Sequence, residues 1–236
     1  KIFLYAAVVY LAVVAIAYAA QRKLMYFPDA TRIEPARLGL EGVREIELQA
    51  PDGARIIAWY APAPAGQPTL LYFHGNGGNL AGRALRLARY QNARLGVFMV
   101  SWRSYSGSTG SPSERVNVAD ARLGYDYLTK LGVLPTDIIL YGESLGTGVA
   151  VQLATSVPVA GLALDAPYTS TVDLGAKAYP FLPVRWLMHD RYESARRVAG
   201  IAAPLLILHG AREVNAWRHQ SCSAAASRPC WRMIAS

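Results

Sequence analysis

Charge is missing from one long stretch of this 236-residue chain, and cysteine from nearly all of it. The two cysteines, Cys222 and Cys230, both fall in the last fifteen residues. They make neither a disulfide framework nor a C-x-x-C metal site, so they fix no redox compartment. No G-x-G-x-x-G and no G-K-[ST] can be written anywhere, which removes both nucleotide-phosphate motifs. The 24 Lys+Arg outnumber the 16 Asp+Glu, for a formal charge of +8. No basic run with interleaved aromatics accompanies that excess, so it reads as scattered surface and membrane-flanking charge, and nucleic acid is not an expected partner. Metal-dependent chemistry has no residue support, and no cofactor is expected.

The uncharged stretch runs from Ile2 to Ala20 and is polar only at the hydroxyls of Tyr5, Tyr10 and Tyr18. Its nineteen residues span roughly 28 Å as a helix, close to the thickness of a bilayer's hydrocarbon core. Lys1 precedes it and Arg22-Lys23 follow, so residues 1–23 are expected to be a single-pass membrane anchor with a basic flank. The competing reading is a secretory signal, for which Ala17-Tyr18-Ala19 offers a cleavage site. The side of the membrane on which the body lies stays open, as does oligomeric state.

Residues 24–42 read as an irregular, proline-bearing linker. A body at 43–213 follows and opens with a hairpin: Val43–Leu48 alternates at period two, Pro51-Asp52-Gly53 turns, and 55–60 runs back. Five short apolar strands come next, at 69–73, 97–100, 138–140, 161–164 and 205–208. Helical patterns at 80–91, 116–131 and 145–155 lie between them. Alternating strands and helices predict an α/β fold, a mostly parallel sheet covered on both faces. Residues 170–200 are longer than a simple crossover needs and predict a small helical lid.

The chemistry concentrates at strand ends, where an open α/β sheet places its ligands. Gly142-Glu143-Ser144-Leu145-Gly146 closes the strand at 138–140 and opens the next helix. A serine on so sharp a turn needs small neighbours, and the turn lifts its hydroxyl clear of the sheet, so Ser144 is the candidate nucleophile. A structural glycine turn is the bland alternative. The loop His74-Gly75-Asn76-Gly77-Gly78-Asn79 follows the strand at 69–73, with Asn79 a natural N-cap for the helix beyond. Together with the serine it offers an oxyanion hole made of the Asn76 and Leu145 N–H groups. His74 precedes the serine at the oxyanion strand end and is read as positioning the loop, not as a base.

Four stretches resemble the α/β-hydrolase superfamily: His74–Asn79; Trp102-Arg103-Ser104-Tyr105-Ser106-Gly107 with the glycine- and serine-rich run behind it; the serine elbow; and Pro204-Leu205-Leu206-Ile207-Leu208-His209-Gly210. They are most similar to its membrane-anchored, serine aminopeptidase-like branch, whose members also follow an apolar anchor with a segment like Gln21-Arg22-Lys23-Leu24-Met25-Tyr26-Phe27-Pro28-Asp29. Ser101 and Ser104 depart from the usual acidic or aromatic residue and glycine at those places. The resemblance implies acyl transfer to water through an acyl-enzyme on Ser144, on a carboxylic ester, thioester or amide. It places the triad acid at Glu213 and expects a histidine after one more helix and strand.

Beyond 213 the pattern stops. Residues 214–236 hold both cysteines and no acidic residue. The only histidine there is His219, six residues past the acid position. The tail therefore reads as a truncated or out-of-frame end, with the final strand and helix and the triad histidine missing. The other reading is a divergent tail whose His219 folds back to the serine. Two functions stay in view: a membrane-anchored serine hydrolase for a small or lipid-like acyl substrate, and a catalytically defective binding protein on the same fold.

Overall fold

A computed structural model describes residues 1–209 and the backbone of residues 231–235. The first element, α1 (Ile2–Met25), is a 24-residue helix with no buried residue. It is long and apolar enough to cross a membrane, and it lies near the N-terminus. Arg22 and Lys23 stand in its last turn, where cations complement the carbonyl end of the helix dipole.

The body is one eight-stranded sheet. Its strands are β1 (Arg44–Gln49), β2 (Arg55–Ala61), β3 (Thr69–Phe73), β4 (Gly96–Val100), β5 (Ile138–Glu143), β6 (Gly161–Asp165), β7 (Leu205–His209) and β8 (Trp231–Ala235). The spatial order is β8-β7-β6-β5-β3-β4-β2-β1. β2 is antiparallel to both β1 and β4, and every other pair is parallel. Burial explains the composition. β3 and β4 are buried at all five positions, as a central strand covered on both faces must be. β1, at the edge, buries only Leu48 and keeps its two glutamates at the surface or half-buried. The hairpin turns at Gly53, whose φ of 82° lies in the left-handed region that glycine adopts freely.

Helices cover both faces. α3 (Glu114–Lys130) and α4 (Leu145–Ala154) pack on one face with Leu71, Phe73, Phe98 and Val100. α2 (Ala84–Asn92) covers the other with Leu87, over Tyr72, Val97 and Met99. Adjacent residues of β3 thus serve opposite cores, the period-two geometry of a strand. α2 begins later than its sequence pattern suggests. Asn79 Oδ1 accepts the Gly82 N–H at 3.0 Å and a 3-10 turn, Ala81–Arg83, precedes the helix. Residues 170–200 hold α5 (Thr171–Ala178), α6 (Val184–Leu187) and α7 (Ser194–Arg197), the small helical cover read from the sequence.

One expectation is corrected. The tail was read as carrying no final strand, yet Trp231–Ala235 pairs in parallel with β7 over five residues. The sequence hides it because a parallel edge strand needs only extended backbone and a neighbour with open N–H and C=O groups, and β7 supplies that neighbour.

Candidate active site

β5 ends at Glu143 and α4 begins at Leu145, leaving Ser144 alone in the turn. Its backbone lies at φ 47°, ψ −112°, a conformation costing a non-glycine residue on the order of 1–3 kcal/mol. Hydrogen bonds on both sides hold it there. The Ser144 N–H donates to the Asp165 carbonyl at 2.8 Å, and the Ser144 carbonyl accepts from the Thr147 N–H at 2.9 Å and the Thr147 hydroxyl at 2.6 Å. Its flanking glycines are required by space. A Cβ on Gly142 would come within 2.5 Å of Thr147 Cα, and one on Gly146 within 2.0 Å of the Phe73 carbonyl oxygen. Both obstacles are backbone, so neither can swing aside.

The loop after β3 lies against this elbow: a Cβ built on Gly75 would sit 3.6 Å from Ser144 Cβ. Asn76 is clamped from three directions. Its Nδ2 donates to the Met25 carbonyl at 2.9 Å, and its own carbonyl accepts from the Phe27 N–H at 3.0 Å and the Tyr105 hydroxyl at 2.6 Å. Leu145 is the first residue of α4, so its N–H is among the four that a helix cannot pair internally. Asn76, Ser144 and Leu145 border one cleft.

His74 is wholly buried behind the loop. Trp102 N–H donates to its Nε2 at 3.4 Å, so Nδ1 carries the proton and donates to the Gly75 carbonyl at 2.7 Å. Burial first, and then the nearby Arg83 charge, push its pKa down to about 3. A neutral imidazole with both nitrogens engaged shapes the loop and does not take a proton from Ser144. Glu143, next to the serine in the chain, is held by the Tyr72 hydroxyl and by Arg83 at 3.4 Å. Burial raises its carboxyl, but the Tyr72 hydrogen bond and the Arg83 and Arg86 charges outweigh that and leave it below the usual range.

The departures at Ser101 and Ser104 are accommodated. Ser104 takes φ 69°, the conformation in which a glycine is at ease, and its hydroxyl donates to the Gly110 carbonyl at 2.6 Å. Ser101 turns its hydroxyl to the Tyr105 carbonyl at 3.1 Å. Glu213 and His219 lie outside the described residues.

Sequence reasoning missed the other walls of the site. The cleft at Ser144, of about 310 Å³, is bordered by the C-terminal half of α1 and by α5 and α6 as well as by Tyr168. Tyr168 is buried and donates its hydroxyl to the Leu145 carbonyl at 3.2 Å. Residues 24–42 are fastened to the body: Phe27–Pro28 pairs in parallel with Gly77–Gly78 of the loop after β3, and Tyr26 is buried. Asp190 binds these parts together. Its carboxylate accepts from Arg22 Nε at 3.1 Å, the Tyr26 hydroxyl at 3.2 Å and the Glu114 N–H at 3.1 Å. The Tyr26 and Tyr192 hydroxyls lie 3.0 Å apart, and Asn117 donates to the latter at 3.0 Å. A lone aspartate on an irregular segment carries no sequence signal for such a role.

A strained serine elbow, on a mostly parallel sheet that opens with an antiparallel hairpin, defines the α/β-hydrolase class. Similarity to known proteins agrees: this chain belongs to the Alpha/beta hydrolase family, whose profile matches residues 70–235. An uncharacterized protein of Mycobacterium tuberculosis is 37% identical over 222 residues, covering 92% of this chain and 79% of that protein. The alpha/beta hydrolase domain-containing protein WAV2 of Arabidopsis thaliana is 33% identical, covering 85% of this chain and 73% of its own length. The lysophosphatidylserine lipase ABHD12 of Danio rerio is 30% identical, covering 79% of this chain and 58% of that protein. Among solved structures, an alpha-beta hydrolase from Vibrio vulnificus superposes with a TM-score of 0.62 at 23% identity, covering 74% of this chain and 66% of that one. The Pyrococcus furiosus esterase Pf2001 gives 0.61 at 17% identity, over 79% and 77%. Both share the fold.

Proposed function

We propose that this chain is a membrane-anchored serine hydrolase that cleaves a carboxylic ester, thioester or amide through an acyl-enzyme on Ser144. The observation that carries the reading is the strained φ 47° backbone of Ser144 in the lining of a cleft also bordered by Asn76 and Leu145. Strain of that kind persists where the surroundings over-determine it, and it clusters at working sites.

In the proposed reaction, Ser144 Oγ attacks the carbonyl carbon while its proton passes to a histidine. The carbonyl oxygen gains the negative charge and is met by the Asn76 and Leu145 N–H groups. Collapse expels the leaving group, which takes the histidine's proton, and water then repeats the sequence to release the acid. His74 does not serve as that histidine, being buried and neutral with both nitrogens engaged. By the order Ser, acid, His, the acid candidate is Glu213; His219 precedes β8 and serves as the histidine only where the tail folds it back to the serine. α1 acts as the anchor: nineteen uncharged residues match the bilayer core, and its far end is bonded into the oxyanion loop through Asn76 and Met25.

The test is labelling by a fluorophosphonate in detergent micelles, together with hydrolysis of 4-nitrophenyl butanoate. The parent should be labelled and active, and Ser144→Ala should lose both. His219→Ala should lower turnover by on the order of 10⁴-fold or more. Labelling that persists in Ser144→Ala removes the nucleophile assignment. Full turnover in His219→Ala removes the histidine.

A further inference from the structure

α1 is placed as part of the site. Val14, Ala17, Tyr18, Gln21, Leu24 and Met25 recur at helical steps and so form one stripe. That stripe lines the same cleft as Ser144. Leu174 and Ala178 of α5, with Val184 and Leu187 of α6, form the facing wall. Among the described residues bordering the cleft none is charged, and most are apolar.

The two walls are stitched together along the helix. Tyr10 donates its hydroxyl to the Phe181 carbonyl at 2.9 Å. Gln21 accepts the His189 N–H at 2.8 Å and donates to the Leu187 carbonyl at 3.4 Å. Arg22 holds Asp190. Tyr10 and Arg22 are twelve residues apart, about 18 Å along a helix axis. The facing segment therefore rides on α1 deep into the part read as membrane-spanning. Its outer surface suits that setting, since Phe181 and Trp186, which do not line the cleft, are 61% and 88% exposed. Such exposed aromatics are at home among lipid chains and headgroups. Non-helical backbone at that depth needs its carbonyls paired, and Tyr10 does this for Phe181.

We propose that the acyl chain of a bilayer-resident ester enters this cleft sideways, between α1 and residues 179–188. The chain lies along the Val14–Met25 stripe with its carbonyl at Ser144. This rests on the serine-hydrolase reading and names its substrate class: long, single-chain acyl groups drawn from the membrane. The length follows from the wall. Eleven residues separate Val14 from Met25, about 16 Å of helix, which suits an extended chain on the order of twelve carbons. The uncharged lining leaves the headgroup outside the cleft, at the Ser144 end.

The test uses the full chain in phosphatidylcholine nanodiscs and reads the ratio of kcat/KM for 4-nitrophenyl dodecanoate to that for the butanoate. Ala17→Trp fills the cleft from α1 and Ala178→Trp from the facing wall. Each should lower the ratio by about tenfold or more. Ala19→Trp, on the opposite side of α1, should leave the ratio at the parent value. A second readout needs no turnover: a dodecanoyl ester carrying a chain-terminal diazirine should crosslink to peptides from 14–25 and 174–188. An unchanged ratio in both cleft variants overturns the proposal, and so do crosslinks confined to the opposite side of α1 or lying outside these segments. If the parent hydrolyses no ester and Ser144 resists fluorophosphonate, the serine reading fails, and the crosslinks still decide the cleft.

Discussion

Acid should destabilise this protein through His74 before its carboxylates titrate. The imidazole is wholly buried in the loop after β3, and its pKa is pushed from 6.5 down to about 3 by burial and by Arg83. In the unfolded chain it titrates near 6.5. Between those values the unfolded state holds one more proton than the folded state, so stability falls as pH falls, by about 1.4 kcal/mol per unit. From pH 7 to 5 the loss is about 2 kcal/mol, and it approaches about 5 kcal/mol below pH 3. Keeping to pH 7–5 avoids most carboxylate titration. His74→Gln retains a donor for the Gly75 carbonyl and an acceptor for the Trp102 N–H but cannot titrate. Urea unfolding in detergent micelles, followed by far-UV circular dichroism, should show the parent losing stability across this window and His74→Gln staying nearly level. Parallel slopes for the two proteins would refute the assignment of a buried, neutral imidazole.

Gly146→Ala should cost about 3 kcal/mol or more. The new methyl would stand 2.0 Å from the Phe73 carbonyl oxygen, so loss of both fluorophosphonate labelling and a cooperative melt is expected, and a parent-like melt would show that the elbow has room. Asp190→Ala should cost about 2–3 kcal/mol. It strips partners from the Glu114 N–H and the Tyr26 hydroxyl and removes the Arg22 latch between α1 and the body. Limited proteolysis near residues 26–30 should accelerate, and an unchanged cleavage rate would mean that Asp190 does not hold the helix.

The resemblance to α/β-hydrolases rested on short motifs, and each is short for a local reason. Gly142 and Gly146 appear in the sequence because a Cβ at either would collide with backbone. The strands of the central sheet are readable as apolar runs because two cores bury alternate residues of the same strand. β8 was not readable. Its strand character comes from the neighbouring β7 edge, and an isolated Trp-Arg-Met-Ile-Ala run has no alternation to betray it.

The chain's own composition determined the long apolar helix, the mostly parallel sheet and the serine turn, since each follows from residues adjacent in sequence and from periodicities of two or 3.6. Tertiary structure alone decided what these parts enclose. It set Asn76 against Met25 across 51 residues and Phe181 against Tyr10 across 171, and it gathered Arg22, Tyr26 and Glu114 around Asp190. Contacts between segments so far apart leave no periodic trace in either one. The apolar helix was therefore legible as a helix, while its place as a wall of the Ser144 cleft became visible only when the chain had closed around it.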